Sequence, residues 1–566
     1  MESKNTYDFV IVGGGPAGCT VAAGLAKSAQ RPKVLLLEAG GRNDDKALRV
    51  NGKRWTTLRE PSMNWGYRTT PQEYCNGHDG DYSRGKGLGG SSAINFGVFA
   101  IGARDDYDEW ASEVDDDTFG WKEMHIRYKN LETFDGRVLP KNQKYVRSVA
   151  SDHGHSGPLR VGYAQDWERD LAPTLDAFEA AGHKLNLDHN SGNPLGMAAT
   201  INSAWKGERT TAVDMFENVP HNLVVVTDSP VQRVLLEGKK AVGVEAQGTK
   251  YFASRDVILS AGTLDTPKIL MHSGIGPAKE LEKFNISVVN DLPAIGQGLR
   301  DHYLVPLVLA RNPETNDRNS FFKDPAAMEA AMKEWLHDNT GLWNRYCCQI
   351  GTGWFKSDRI TASPEFKALP TSVQEFLNRE TIPHYEIATH MPLHCMKPEM
   401  FKDYSYSCLV AFMINEQSRG EVHLQSSDPD IPLLFDPRFL GHPYDRRACI
   451  EIYRHLLDVS RQECFAKDTI STLMGPASDS DEDILEFWKN TLCSSWHMTG
   501  TVKMGKTGAS DAAVDTRFRV RDMENLRVAD MSVVPVLTNN HTQATAYVTG
   551  ITCADILIKE YDLDKQ

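Results

Sequence analysis

No run of about twenty apolar residues occurs in this chain, so no segment of it reads as a membrane-spanning helix. Ten cysteines are present but none forms a C-x-x-C pair, which points to reduced thiols rather than a zinc site or a disulfide framework, and to no metal. Positive charge is scarce: 62 Lys and Arg stand against 76 Asp and Glu, a net −14. That balance argues against nucleic acid and anionic membrane surfaces as partners. No fixed-period repeat stands out, and the opening Met1-Glu2-Ser3-Lys4-Asn5-Thr6 lacks the apolar core of a signal peptide. These absences predict a cytoplasmic, soluble protein. Its 566 residues exceed what one hydrophobic core supports, and 40% apolar and 24% charged residues are ordinary for globular domains. Two or more domains are therefore expected.

What is present begins at once. Tyr7-Asp8-Phe9-Val10-Ile11-Val12 has the composition of a buried strand and runs into Gly13-Gly14-Gly15-Pro16-Ala17-Gly18. Ala17 to Ser28 is helix-compatible, Lys33 to Leu37 reads as a second parallel strand, and Glu38 closes it. This is the order of a dinucleotide-binding unit. Gly13 allows a sharp turn, Gly15 lets the backbone approach a pyrophosphate, and Gly18 lets the helix pack on the sheet. The helix start faces the dianion, and Glu38 is placed to accept from a ribose hydroxyl. FAD and NAD are both served by such a unit.

Further strands are expected at Asn222–Thr227, Val231–Leu236, Ala241–Glu245, Asp256–Ser260 and Asn525–Asp530, with a last helix from Thr542 to Glu560. Between them, residues 303 to 432 are mixed and aromatic. The cofactor domain is thus expected to be discontinuous, comprising residues 1–160, 200–305 and 490–566, with the substrate domain in 161–199 and 306–489.

A glycine-dense segment, Gly85-Lys86-Gly87-Leu88-Gly89-Gly90-Ser91-Ser92-Ala93-Ile94-Asn95, and a second stretch, Gly262 to Gly276, resemble the two signatures of the glucose–methanol–choline oxidoreductases. Ile295-Gly296-Gln297-Gly298-Leu299-Arg300-Asp301-His302 is similar to a third family segment, with Gly298 in place of Asn. Ala100-Ile101-Gly102 departs from the Arg-Gly common there. The resemblance spans essentially the whole length. It implies FAD as cofactor and an α/β fold, α+β overall, in which a Rossmann-like FAD-binding domain joins a substrate domain of antiparallel sheet and flanking helices. It also implies that Gly13, Gly15 and Gly18 hold the pyrophosphate, Glu38 the ribose and Val231 the adenine side. By the same carry-over, Gly87, Gly89, Gly90, Ser91 and Asn95 line the pyrophosphate and the isoalloxazine. Asp530 lies at the ribityl chain, and Thr542 and Gln543 complete the cofactor set.

Trp496-His497-Met498-Thr499-Gly500-Thr501 and Asn539-Asn540-His541-Thr542 resemble the segments that carry the family's active-site pair. The resemblance implies oxidation of a primary alcohol to the aldehyde by hydride transfer to flavin N5. His497 is the base and His541 the partner that fixes the substrate oxygen; a neutral imidazole, with an ordinary pKa of about 6.5, suits the first role. Oxygen or another acceptor then reoxidises the flavin. The alternative is a lyase or cyclising synthase that keeps FAD structurally. The stretch from Phe321 to Met413, with Trp335, Trp343, Tyr346, Trp354, Phe355 and Phe412, is expected to wall the substrate pocket. That wall favours an aryl or otherwise apolar alcohol. The oligomeric state is not readable.

Overall fold

The computed structural model describes residues 5–392 and 404–565. The start of the leader reading, Met1 to Lys4, and the part of the expected pocket wall at 393–403 lie outside the described residues. Among the described residues no helix is long and apolar enough to cross a membrane.

Thr6–Val12 buries Phe9 to Val12, and Val34–Leu37 is buried throughout, so both belong inside a parallel sheet covered on two faces. The parallel run is Leu223–Val226, Val34–Leu37, Thr6–Val12, Thr249–Leu259 and Leu526–Val528. Thr249–Leu259 divides its second edge. Its exposed first part pairs antiparallel with Lys240–Ala246, which turns back to Val231–Glu237, while its buried end takes Leu526–Val528. Each of the expected strands is therefore found. So are both helices, as Pro16–Lys27 and Gln543–Glu560. Their small residues let them pack very closely: a Cβ on Gly550 would stand 2.0 Å from Thr20 Oγ1.

The second sheet is antiparallel and follows the order Thr469–Met474, Tyr303–Arg311, Ser405–Met413, Tyr385–Ala388, Gly351–Phe355, Gly196–Ala199. Its central strand, Ser405–Met413, is buried at every position, lying under the helix Pro443–Ser460 on one face and packing on the other against Trp55, Val98 and Ala100. Alternation sends Tyr406, Cys408, Val410 and Phe412 to the inward face, where they join Leu304, Val308 and Ala388. Cys493–Ser494 pairs with Tyr303–Leu304 and thereby ties the C-terminal part of the chain to this sheet. The whole is the mixed α/β architecture expected.

Candidate active site

A crevice begins at the carboxyl ends of the parallel strands and runs to the inward face of the antiparallel sheet. Twelve of the fifteen predicted site residues line it: Gly13, Gly15, Glu38, Gly90, Ser91, Asn95, Val231, His497, Asp530, His541, Thr542 and Gln543. Gly18, Gly87 and Gly89 do not, and the physical reasons differ. A Cβ at Gly18 would lie 1.9 Å from Gly13 O, so this glycine lets the helix sit on the turn. Gly87 N–H donates to Glu38 Oε1 at 2.9 Å, and Gly89 N–H donates to Gly14 O at 2.8 Å. These two dock the glycine-dense segment onto the first turn and stand behind the wall.

The turn itself fits a pyrophosphate. Gly13 is at φ +105 with its missing Cβ 2.3 Å from Ser260 O, whereas Gly15 has nothing within 4 Å of its Cβ position, an open cradle at a helix N-terminus. Glu38 is buried; its Oε2 accepts from Gly14 N–H at 2.7 Å and its Oε1 from the N–H groups of Gly40 and Gly87. Burial pushes its pKa up and these bonds oppose the shift. Asp530 is likewise clamped, accepting from Gly262 N–H, Thr266 Oγ1 and Ser532 N–H.

At the far end the rings of His497 and His541 meet edge to face, centroids 4.8 Å apart. Each is held from behind by a group that sequence reasoning missed. His497 Nδ1 is 3.1 Å from His302 Nδ1, and His497 N–H donates to Asp301 Oδ1 at 2.8 Å. His541 Nε2 is 2.7 Å from Glu386 Oε1, on a carboxylate that is fully buried. His302 and Asp301 stood in a segment already singled out, but their partner is 195 and 196 positions away. Glu386 had no local signal. The loop before His541 is pinned by Asn539, which donates twice to Asp106 at 2.8 and 2.6 Å.

Electrostatics favour a neutral base. Burial, then the nearby His541, His302 and Arg84, pull the His497 pKa well below its ordinary value. With Nδ1 engaged by His302, Nε2 is the ring nitrogen left for the crevice. Asp301, buried among Ser494 Oγ, His497 N–H and Arg84, is pushed up to about 7.

The wall differs from expectation. Of the six aromatic residues expected there, only Phe412 reaches the crevice. Trp335, Trp343 and Tyr346 pack with Phe321 in a separate cluster, Trp354 is fully buried in the core, and Phe355 stacks on Phe178. Space filling took them inward, the usual fate of large rings. Phe96, Leu304, Ile350, Ala388, Met391 and Trp496 supply the apolar lining instead. Gly298 sits at φ +79, in the left-handed region that Asn and Gly share, which accounts for the exchange. Among the described residues no group of three or more His, Cys, Asp or Glu could hold a metal.

Residues 7–304 and 416–550 match the two parts of the family described as GMC oxidoreductase. The chain belongs to this family. This GMC oxidoreductase is 30% identical to the alcohol dehydrogenase [acceptor] of Pseudomonas putida over 98% of its own length and 96% of that protein's. It superposes on a formate oxidase of Aspergillus oryzae RIB40, studied for FAD modification, with a TM-score of 0.89, 25% identity and full coverage of both chains. A fungal aryl-alcohol oxidase shares the fold at a TM-score of 0.86 and 24% identity, over 99% of this chain and all of that one. The protein is a flavin-dependent oxidoreductase with FAD as cofactor, acting on a small molecule and passing electrons to an acceptor.

Proposed function

We propose that this GMC oxidoreductase oxidises a primary alcohol of aryl or otherwise apolar kind to the aldehyde, with oxygen or another acceptor taking the electrons. The observation that carries the reading is the facing pair of His497 and His541 at the end of the crevice, each fixed from behind by a buried partner. Gly13, Gly15, Gly90 and Ser91 hold the FAD pyrophosphate, Glu38 and Val231 the adenosine side, Asp530 the ribityl chain, and Asn95, Thr542 and Gln543 the ring. When bound, FAD supplies the hydride acceptor.

His497 takes the hydroxyl proton at Nε2, and its depressed pKa keeps that nitrogen unprotonated at neutral pH. For this, His497 Nδ1–H donates to His302 Nδ1, 3.1 Å away, and His302 carries its own proton on Nε2. Glu386 orients His541, whose remaining nitrogen faces the substrate oxygen. The apolar lining excludes water and binds the substrate's body; it favours an aryl or alkyl carbinol over a sugar, whose hydroxyls would lack partners there.

The test is anaerobic mixing of the purified protein with sugar, aliphatic and aryl alcohols while the oxidised-flavin absorbance is followed. Bleaching fastest with aryl or apolar alcohols is the expected result. Comparable rates with glucose and benzyl alcohol would refute the substrate class. A flavin that no alcohol bleaches would favour a lyase or synthase that retains FAD structurally.

A further inference from the structure

Five arginines are almost completely buried, and they divide into two kinds. Arg318 lies against Glu168 and Asp170, and Arg527 against Asp256 and Glu560, as buried charges should. Arg311, 4.0 Å from Asp468, belongs with these two that face carboxylates. Arg54 and Arg209, 2% and 1% exposed, form no ion pair with a carboxylate among the described residues. Both instead press on the glycine-dense segment from behind. Arg209 donates to Ser92 O at 3.2 Å and to Thr57 Oγ1 at 2.9 Å.

Arg54 stands directly behind the flavin end of the crevice. Its Nε donates to Asn51 Oδ1 at 2.6 Å, its Nη2 to Ser203 O at 2.5 Å, and its Nη1 to Asn95 Oδ1 at 3.1 Å. Asn95 lines the crevice and donates to Gln543 Oε1 at 3.0 Å; Gln543 is the first residue of the long helix Gln543–Glu560 and lines the crevice too. Gly97, another lining residue, is so close that a Cβ on it would lie 2.2 Å from the guanidinium carbon. The titratable groups whose charge would favour Arg54 are Cys348 and Tyr547, and burial pushes both upward, the thiol to about 12, so both are neutral at pH 7. Burial draws Arg54 itself down to about 9, which leaves it charged.

A full positive charge is thus kept in the interior, and all three of its side-chain and backbone acceptors are neutral. Such a charge is costly unless something arrives to face it. When an alcohol gives up a hydride, two electrons and one proton leave its carbon, and the hydroxyl proton stays on His497. The flavin then carries one more negative charge than before. We propose that Arg54 is a positioning residue in the electrostatic sense: its charge, relayed through Asn95 and Gln543, favours the reduced flavin and raises the cofactor's reduction potential. This rests on the ring lying beside Asn95 and Gln543, as proposed above, with the helix N-terminus adding to the same field.

The test compares midpoint potentials of the FAD-loaded wild type, Arg54→Lys, Arg54→Gln and Asn51→Asp, measured with dithionite and a reference dye. No alcohol is needed, so the result does not depend on which substrate the enzyme takes. Asn51→Asp is the decisive variant. It is isosteric, keeps the bond to Arg54 Nε, lies outside the crevice lining and supplies the missing counter-charge. Arg54→Lys should stay within threefold of wild type in the reduction equilibrium. Arg54→Gln and Asn51→Asp should each shift it at least tenfold toward the oxidised form, about 30 mV for a two-electron couple. Asn51→Asp should also raise the unfolding temperature, which separates the effect from damage to the fold. Should Arg54→Gln fail to fold, Asn51→Asp decides alone. A folded, FAD-loaded Asn51→Asp protein with the wild-type potential would overturn the proposal, and loss of FAD from it would place the ring elsewhere.

Discussion

Two glycines two residues apart should respond in opposite ways to the same methyl group. At Gly13 the backbone is left-handed, φ +105, and an added Cβ would stand 2.3 Å from Ser260 O and 2.8 Å from Ser260 C. An ordinary contact is about 1 Å longer, so the end of Thr249–Leu259 must move. Overpacking costs about 1–3 kcal/mol and the backbone about 1–2 kcal/mol more, so Gly13→Ala should lose about 2–5 kcal/mol of fold stability. Gly15 has φ −81 and ψ −174, which any residue adopts, and nothing within 4 Å of the Cβ position. Gly15→Ala restricts the unfolded chain, a gain of about 0.4–1 kcal/mol, and weakens the helix cap by a similar amount, so the apoprotein should be unchanged within about 1 kcal/mol. Its methyl group would instead occupy the cradle. A clash of about 1–3 kcal/mol there corresponds to a Kd for FAD raised about 5–150-fold. The assay is thermal unfolding of each apoprotein together with FAD titration by fluorescence quenching. Wild-type FAD affinity, within twofold, in Gly15→Ala would show that no phosphate sits over Gly15, and the cradle argument would fail.

His497→Ala should slow anaerobic flavin reduction by about 10²–10⁴-fold with FAD still bound, the range for a lost general base; near-normal reduction would move that role to His541. With His497 as the proposed base, working unprotonated and with its pKa depressed, the reduction rate should hold as pH falls to 6.5 and drop only below it. A break near pH 7 that survives Asp301→Asn would contradict this, since burial pushes the Asp301 pKa up to about 7. Glu386→Gln should slow reduction by about tenfold, less than loss of His497, because a neutral amide still orients His541 while lacking the charge; stopped-flow comparison of the two variants checks the order. His153 is buried between Glu132 and Asp188 at 2.9 and 3.0 Å, with its pKa raised to about 9 by those partners against burial. Its folded pKa exceeds the unfolded one, so its contribution is complete below pH 6.5 and lost as pH rises through 9. His153→Gln should cost about 3 kcal/mol near neutrality and flatten the pH dependence of the unfolding temperature between those limits.

Glycine spacing and apolar runs are local properties, and they sufficed for the strands and helices of the cofactor half and for the cradle at Gly13 and Gly15. His497 and His541 were legible because each sits in a long motif. Their supports were not. Glu386 reads as one polar residue in a short strand, and it becomes the partner of His541, 155 positions away, only because the antiparallel register sets it opposite Phe412. The aromatic wall failed for a related reason: composition says that rings are plentiful, but which face each takes is decided when the layers pack, and Trp335, Trp343 and Tyr346 went to a core while Phe96 and Trp496 came to the crevice. Arg54, in Asn51-Gly52-Lys53-Arg54, has the look of a solvated cation in sequence. The sequence by itself determined the family and the cofactor, and it singled out the two histidine segments, because those depend on residue types at fixed spacing. The tertiary structure alone decided what stands behind them, because burial and charge pairing exist only between segments that folding brings together.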